Sequence, residues 1–574
     1  MAKKRRRKKK KDRKATQRAN ADSTNQAQPN QPAKKRDFTA LIFSLVSFAL
    51  LWLSMPGPGR GVWWVAWLAM VPIVWLVHSP ALPHKLLRQV WVSSLLFWLL
   101  MLHFVRLPIW MLWFGWALLS AYLSIYIPLA VSISRTMVHR FRVPTVIAVP
   151  IVFTGLEWVR VNFMTGFGIG CISHSQYLHP PSMQIAEFGG AYGITFAIMF
   201  FAAAAGVASS FAWNRVTSAP TMPQRMIHAF MAIVAVGSVL AYGANRLATD
   251  AHLRKTAEAH RHLRVAVIQS SIDTILESKT RAETQEDFLH LSDLTHSARL
   301  VSRKLDLIVW PESSFPYGQV LSDVDATYTK ELFRQKQVLA WEVAVGYPIQ
   351  FKDTVPLLVG SLSTDSKADT GYNSALLFDE RGDVSTAYYK NHLVMFGEYF
   401  PLVQSIPYVK ELVKGFSNWD PGTEPKRMKV KDISIAPNIC FESTVPHLIR
   451  SHVNSLEESG EVIDVLVNVT NDGWFFGTSC LDLHFACNTL RGVEMRKPIL
   501  VSANTGLSAH IDEFGRHVKV GPRREEAELI CDVRVPLPET TLYRRWGAWI
   551  PFVMGWVSVL VGVVARFVPG ERAV

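Results

Sequence analysis

ISIAPNICFES (433–443) runs through short, mostly apolar residues and stops at Cys440. It passes at once into Phe441-Glu442-Ser443, where a helix is expected to begin. An apolar run of this length reads as a strand buried on both faces, and a strand feeding directly into a helix is one unit of an α/β fold. Working outward, the same pattern recurs in RVAVIQ (264–269), LDLIVWP (305–311), DVLVNVT (464–470) and PILVSAN (498–504). Helical candidates fall at 280–303, 443–455 and 480–496. Residues 263–540 are therefore expected to form one α/β domain around a largely buried sheet, an ordinary size for an enzyme domain.

Three polar residues stand at the ends of these expected strands, where a rigid sheet edge can hold reacting groups. Cys440 ends ISIAPNIC, Glu312 follows LDLIVWP, and Lys390 ends STAYYK (385–390). A thiol at a strand-to-helix turn is expected near a helix N-terminus, whose partial positive charge favours the thiolate. Each residue alone is weak evidence, because such a Glu is usually a cap, such a Lys solvated and a buried Cys inert. Together they supply a nucleophile (Cys440), a general base and acid (Glu312) and a positive charge for a tetrahedral oxyanion (Lys390).

The flanks of this domain differ in kind. Of 574 residues 49% are hydrophobic and 19 are Trp, an excess carried by apolar runs at about 38–55, 62–78, 89–105, 107–133, 144–163, 185–212, 226–243 and 548–567. The first is 18 residues long, or roughly 27 Å as a helix against a hydrocarbon core of about 30 Å. One such run could be a buried helix of a soluble protein; eight could not. The expected layout is a basic tail at 1–37, seven transmembrane helices within 38–245, the domain at 263–540 and an eighth transmembrane helix at 548–567. The first 36 residues hold fifteen Lys and Arg against Asp12 and Asp22, so 13 of the net charge of +15 sits there. That tail has no apolar periodicity and is expected to be disordered. With a membrane span directly after it, it reads as an inside-facing anchor rather than a nucleic-acid patch. Seven crossings then put the domain on the opposite face, and the eighth returns the chain to the cytoplasm.

At this level of detail the chain resembles a known family. WPESSFP (310–316), KNHLVMFGEYFPL (390–402), NICFES (438–443) and NVTNDGWFFGTS (468–479) occur in the order seen in the nitrilase superfamily. The membrane flanks, with EWVR (157–160), TGFG (165–168) and QIAEFGGAYGITF (184–196), are similar to its apolipoprotein N-acyltransferase branch. The resemblance implies a multi-pass α-helical membrane bundle joined to a nitrilase-like α/β domain, an αββα sandwich. It implies the triad Glu312, Lys390 and Cys440, with accessory carboxylates Glu398 and Glu442, Glu398 orienting Lys390. Phe441, Trp474, Phe475 and His484 are candidates for the substrate pocket. The implied reaction moves an acyl chain from a phospholipid through a Cys440 thioester to the amino group of a diacylglyceryl-cysteine on an apolipoprotein, the last step of lipoprotein maturation. The expected setting is the cell inner membrane, with a periplasmic catalytic domain, both termini cytoplasmic, a monomer, and no nucleic acid, metal or organic cofactor. This chain departs from the family pattern in GFGIGC (166–171), in the missing Trp of ILESKT (275–280), and in Leu483-His484 where the family has Gln-His.

Two other functions use the same features. A membrane-tethered amidase or nitrilase would pass through the same thioester and finish on water. A lipid-binding or transport protein could keep the fold without turnover. Three further readings concern single features. Cys480, His484 and Cys487 have helical spacing on one face but lack a fourth metal ligand. FPLVQSIPYVKELVKGFSNW (400–419) is apolar enough for a lid at the membrane interface or for an ordinary packed segment. Glu157 and Arg160, one turn apart within a span, are expected to satisfy each other.

Overall fold

The computed structural model describes residues 37–567 except 81–83, 109, 111, 165, 211–219, 257–260, 273, 275–279, 316–354, 366–369, 382, 396, 400–418 and 461. The basic tail, most of ILESKT and all but Trp419 of the lid candidate lie outside the described residues.

The first part is helical: Thr39–Ser54 (α1), Val65–Ala69 (α2), Val71–His78 (α3), Leu86–Met101 (α4), Leu112–Ser124 (α5), Tyr126–Arg135 (α6), Thr145–Asn162 (α7), Ala191–Ser209 (α8) and Met222–Thr256 (α9). The last helix, Trp549–Phe567, rejoins them after the α/β domain. Among the described residues five helical stretches are long and apolar enough to cross a membrane: Leu112–Arg140, Thr145–Asn162, Ala191–Ser209, Met222–His252 and Trp549–Phe567. Thr39–Ser54, Val65–His78 and Leu86–Met101 are apolar but shorter. The run at 62–78 is two helices, because α2 ends at Met70 and α3 restarts with Pro72 in its first turn, where a missing N–H costs nothing. α7 and α8 form the centre of the bundle, with 72% and 67% of their residues buried, whereas α9 and the last helix, at 17% each, turn apolar faces outward. Trp556, Leu560 and Phe567 are among the exposed side chains on that last helix.

Glycine decides how the last helix docks. A Cβ on Gly155 of α7 would lie 2.5 Å from the Met554 carbonyl carbon and 2.6 Å from the Gly555 nitrogen. Two backbones approach this closely only where side chains are absent. Gly155→Ala is expected to cost about 1–3 kcal/mol by overpacking. Thermal unfolding in detergent would read this as a lowered midpoint, and an unchanged midpoint would show that the helices are not in contact there.

The domain holds twelve strands among the described residues: His262–Gln269 (β1), Leu307–Val309 (β2), Leu357–Asp365 (β3), Thr370–Phe378 (β4), Val384–Tyr389 (β5), Met428–Val430 (β6), Ile433–Ile439 (β7), Val465–Thr470 (β8), Ile499–Ala503 (β9), Ala509–Ile511 (β10), His517–Val520 (β11) and Ala527–Arg534 (β12). Its helices are Arg281–Val301 (α10), Pro446–Glu457 (α11) and Ser479–Met495 (α12). Two six-stranded sheets form, ordered β12-β1-β2-β3-β4-β5 and β11-β10-β9-β8-β7-β6. β1-β2-β3 and β7-β8-β9 are parallel at the two centres, with antiparallel strands outside them.

Period-two alternation sorts the side chains into layers. Val265 and Val267 of β1 and Val465, Val467 and Val469 of β8 meet in the core between the sheets. Ala266 and Ile268 pack outward with Phe288 and Leu291 of α10. Leu466, Ile499 and Val501 pack outward with Ile449 of α11 and Phe485 of α12. The result is an αββα sandwich, and Glu312, Cys440 and Asn471 all follow the carboxyl ends of its parallel strands.

Helix α12 ties this sandwich to the bundle. All seventeen of its residues are buried. Phe485 and Ala486 face the sheet, while Leu481, Leu483, Leu490 and Val493 join the apolar cluster of the bundle. At its end Glu494 accepts a 2.7 Å hydrogen bond from the Ala191 N–H, capping the N-terminus of α8 with a negative charge. Asp250 of α9 pairs with Arg516 and Arg534 of the domain. Thr444 approaches Gly168 so closely that a Cβ there would sit 2.1 Å from its carbonyl oxygen. Glu157 and Arg160 feel each other's charge but take their hydrogen bonds elsewhere. Glu157 accepts from Thr195 and from the Ile172 N–H, and Arg160 donates to the Ile169 carbonyl and the Cys171 sulfur. Both side chains reach the segment 169–172 that follows α7, and Glu157 also reaches Thr195 of α8.

Candidate active site

Glu312 follows β2 in a turn that leaves no room above it. A Cβ on Gly360 of the neighbouring strand would lie 2.4 Å from the Glu312 Cα. Its carboxylate is fixed at both oxygens, Oε1 accepting from the Asn373 amide at 2.7 Å and Oε2 from the Asn471 N–H at 2.8 Å. Lys390, at the end of β5, is 1% exposed. It donates to Glu398 Oε1 at 2.7 Å and lies 3.6 Å from Glu312 Oε1. Burial alone would favour its neutral form, but the charges of Glu398 and Glu312 outweigh burial and hold its pKa above the usual lysine value. Burial likewise pushes Glu398 up, and the Lys390 ammonium with three hydrogen bonds brings it below the usual carboxylate value. Glu398 also accepts from the Asn373 amide and the Val394 N–H, so Asn373 bridges the two carboxylates that flank Lys390.

Cys440 ends β7 with φ 51°, a left-handed conformation that non-glycine residues adopt at a cost and that here sits at the mouth of the sheet. Three groups hold this strained elbow. The Cys440 carbonyl accepts from the Asn468 amide at 3.2 Å and lies 2.9 Å from His484 Nε2. His484 is oriented through Nδ1 by Asp472 at 3.0 Å, whose charge keeps the ring's pKa raised against the opposing effect of burial. Glu442 is fully buried and accepts from the Tyr388 hydroxyl and the Asn391, His392 and Ile439 N–H groups. Burial pushes its carboxyl up to about 7 against those hydrogen bonds. Glu442 therefore links the segment after Lys390 to the elbow.

The helix N-terminus expected to favour a thiolate does not lie at Cys440. Cys440 opens a five-residue 3-10 turn, Cys440–Thr444, and the α-helix begins only at Pro446. Burial first, and the Glu312 charge second, raise the thiol well above its ordinary pKa, with Lys390 opposing. An ordinary thiol is roughly 3% ionised at pH 7, and Cys440 holds its proton more tightly. Alkylation of Cys440 by iodoacetamide is expected to be slower than that of free cysteine at pH 7.5 and still rising at pH 9.5. A plateau below pH 8 would mean a preformed thiolate.

The other expected site residues divide. Phe441 and Phe475 are half-buried against the apolar cluster of the bundle, and Phe475 meets Phe104 edge-on with centroids 5.5 Å apart. Trp474 is half-buried in the turn Asp472–Phe475. His484 lies against the Cys440 carbonyl with both ring nitrogens engaged, Nδ1 by Asp472 and Nε2 by that carbonyl and the Ser443 hydroxyl, which leaves neither for a metal set with Cys480 and Cys487. Asn373, Tyr388, Asn471 and Asp472 were not foreseen. A buried Asn inside β4 runs against strand preference and was the one local signal available.

Chemically, a half-buried thiol, a carboxylate with a fixed orientation and a lysine ammonium come together beside the membrane helices. This set can take a proton from sulfur, attack a carbonyl and neutralise the oxyanion.

Comparison with known proteins adds three findings. Residues 47–204 match the apolipoprotein N-acyltransferase N-terminal domain and residues 264–545 match carbon-nitrogen hydrolase. An apolipoprotein N-acyltransferase of Geobacter metallireducens is 30% identical over 547 residues, covering 94% of this chain and 96% of that protein. One of Rhodopirellula baltica is 28% identical over 551 residues, covering 88% and 93%. Among solved structures, an amidase from Nesterenkonia sp. AN1 aligns at 16% identity over 50% of this chain and 98% of that chain, with a TM-score of 0.34.

Proposed function

The chain belongs to the apolipoprotein N-acyltransferase family, and from that premise we propose how its cleft performs acyl transfer at a membrane. It is an acyltransferase that acylates the amino terminus of lipoproteins. The observation that carries the reading is the position of the nucleophile. Cys440 shares a buried cleft with Glu312 and Lys390, and its neighbour Phe441 packs with Phe475 against the apolar cluster of the helix bundle. A soluble amide needs no such seat, whereas a donor and an acceptor that both live in a bilayer do.

In the first half-reaction Cys440 attacks the ester carbonyl of a phospholipid while Glu312 takes the thiol proton. Lys390, held by Glu398, stabilises the oxyanion. Glu312 then protonates the departing lysophospholipid oxygen, leaving a thioester on Cys440. In the second, the α-amine of a diacylglyceryl-cysteine attacks the thioester. The C–N bond forms, the C–S bond breaks, and the amine proton passes through Glu312 to the Cys440 sulfur. Packing of the cleft against the bundle keeps water from competing.

The membrane arrangement follows the charge. The tail at 1–37 lies in the cytoplasm. The apolar helices within 38–245 cross seven times and place the domain at 263–540 on the periplasmic face of the inner membrane. The helix within 548–567 crosses back, and the working unit is a monomer.

Mass spectrometry of the detergent-purified protein incubated with phospholipid tests the reaction. The expected result is one acyl chain on the Cys440 peptide, released by hydroxylamine and discharged by a diacylated lipopeptide. Discharge to water alone would favour a membrane-tethered amidohydrolase, and no adduct would end the reading.

A further inference from the structure

We propose that His392 receives the acceptor amine in the second half-reaction, its ring nitrogen hydrogen-bonding the incoming α-amino group beside the Cys440 thioester. The inference rests on the acyl-transfer reading above and adds a residue and a step to it.

The carboxylates of the cleft already carry hydrogen bonds from the protein, and Glu312 keeps its remaining acceptor capacity for the proton in transit. Glu312 accepts from Asn373 and Asn471, Glu398 from Lys390, Asn373 and Val394, and Glu442 from Tyr388 and three backbone N–H groups. An arriving amine carries N–H groups that lose water on entering the cleft, and each N–H left unpaired there costs about 1–3 kcal/mol. Among the described residues, the buried side-chain atoms that can accept a hydrogen bond and have no partner include Asn373 Oδ1, His392 Nε2 and Thr444 Oγ1. Of these, only the histidine nitrogen has no hydrogen of its own to place and no amide locked to the triad. Asn373 is locked in place by its amide, which donates to both Glu312 and Glu398. His392 lies elsewhere, its ring stacked on Phe441 with centroids 6.0 Å apart and planes 18° from parallel.

Phe441 follows the nucleophile directly, and its ring seats the imidazole against the elbow. The His392 backbone is fixed as well, its N–H donating to Glu442 at 3.1 Å, the same carboxylate that accepts from Ile439 before the nucleophile. The ring is thus aimed by two contacts that also define the elbow, while its Nε2 bonds to nothing among the described residues.

The charge state suits the role. Burial and the Lys390 charge keep the ring below the usual histidine pKa, against the opposing charge of Glu398. A neutral imidazole offers a lone pair to an amine N–H, whereas an imidazolium would repel an ammonium. No atom is gained or lost at His392. The amine proton still travels through Glu312 to sulfur, and His392 holds the nucleophile in line.

The first half-reaction has no amine as nucleophile, so the two halves should separate. His392→Phe keeps a ring on Phe441 and removes the nitrogens. This variant is expected to form the Cys440 thioester within about twofold of wild type and to discharge it to a diacylated lipopeptide at least about tenfold more slowly, the loss of one hydrogen bond in the transition state. Thioester formation itself reports that the variant is folded. His392→Gln, which keeps an acceptor, should recover part of the transfer rate. Transfer unchanged in His392→Phe, or thioester formation reduced as much as transfer, overturns the proposal for His392 alone. A wild-type protein that never acquires a thioester overturns the acyl-transfer reading beneath it.

Discussion

Cys440→Ala protein is expected to take up no acyl chain and to transfer none, a loss of roughly 10⁴-fold or more against wild type. The size of the effect follows from the covalent step. Without sulfur no thioester exists, and neither Glu312 nor Lys390 offers another nucleophile, because Glu312 is bonded at both oxygens and Lys390 is held as an ammonium between two carboxylates. Stability should barely change. The elbow is held through the Cys440 carbonyl, by Asn468 and His484, and through the Ile439 N–H, by Glu442. None of these contacts uses the sulfur, and alanine meets the left-handed backbone at about the same cost as cysteine. Intact-mass analysis after incubation with phospholipid, beside a thermal melt in detergent, checks both halves. Residual acylation elsewhere in the alanine variant would place the nucleophile on another residue.

Lys390→Met is expected to lose both activity and stability, for separable reasons. Removing one preorganised charge from the oxyanion costs about 10²–10³-fold in the acylation rate. The same change leaves Glu312 and Glu398 buried with no cation between them, and breaking a buried pair from one side typically costs about 3–5 kcal/mol. The double variant Lys390→Met with Glu398→Gln separates the two effects. One of the two stranded carboxylates becomes neutral, so most of the lost stability should return, while acylation stays as slow as in the single variant. Recovery of acylation in the double variant would refute an oxyanion role for Lys390 and leave it a structural counter-ion.

Much of this arrangement was legible in the chain. The short apolar runs RVAVIQ and DVLVNVT announce strands buried on both faces, since run length and residue type are local properties of the chain. The ends of those strands name Glu312, Lys390 and Cys440. The apolar runs announce membrane helices because length and composition alone decide whether a helix matches a bilayer. The break at Met70 is also readable, from Pro72.

What tertiary structure decided concerns partners rather than residues. The spacing of Glu157 and Arg160 suggested a pair, yet each bonds to segments folded over α7. The motif names His484 but not its partners, and the fold supplies Asp472 and the Cys440 carbonyl. Asn373 carries no motif at all and still joins both carboxylates. The Cys440 thiol gives the clearest case. The strand-to-helix pattern placed it correctly and suggested a thiolate, but the fold set a 3-10 turn where a helix N-terminus was expected and brought Glu312 in from another strand. Periodicity and strand ends are written along the chain because they depend on neighbours in sequence. Protonation and hydrogen bonding depend on which distant groups arrive within a few ångströms in a site that excludes water, and only the folded chain determines that.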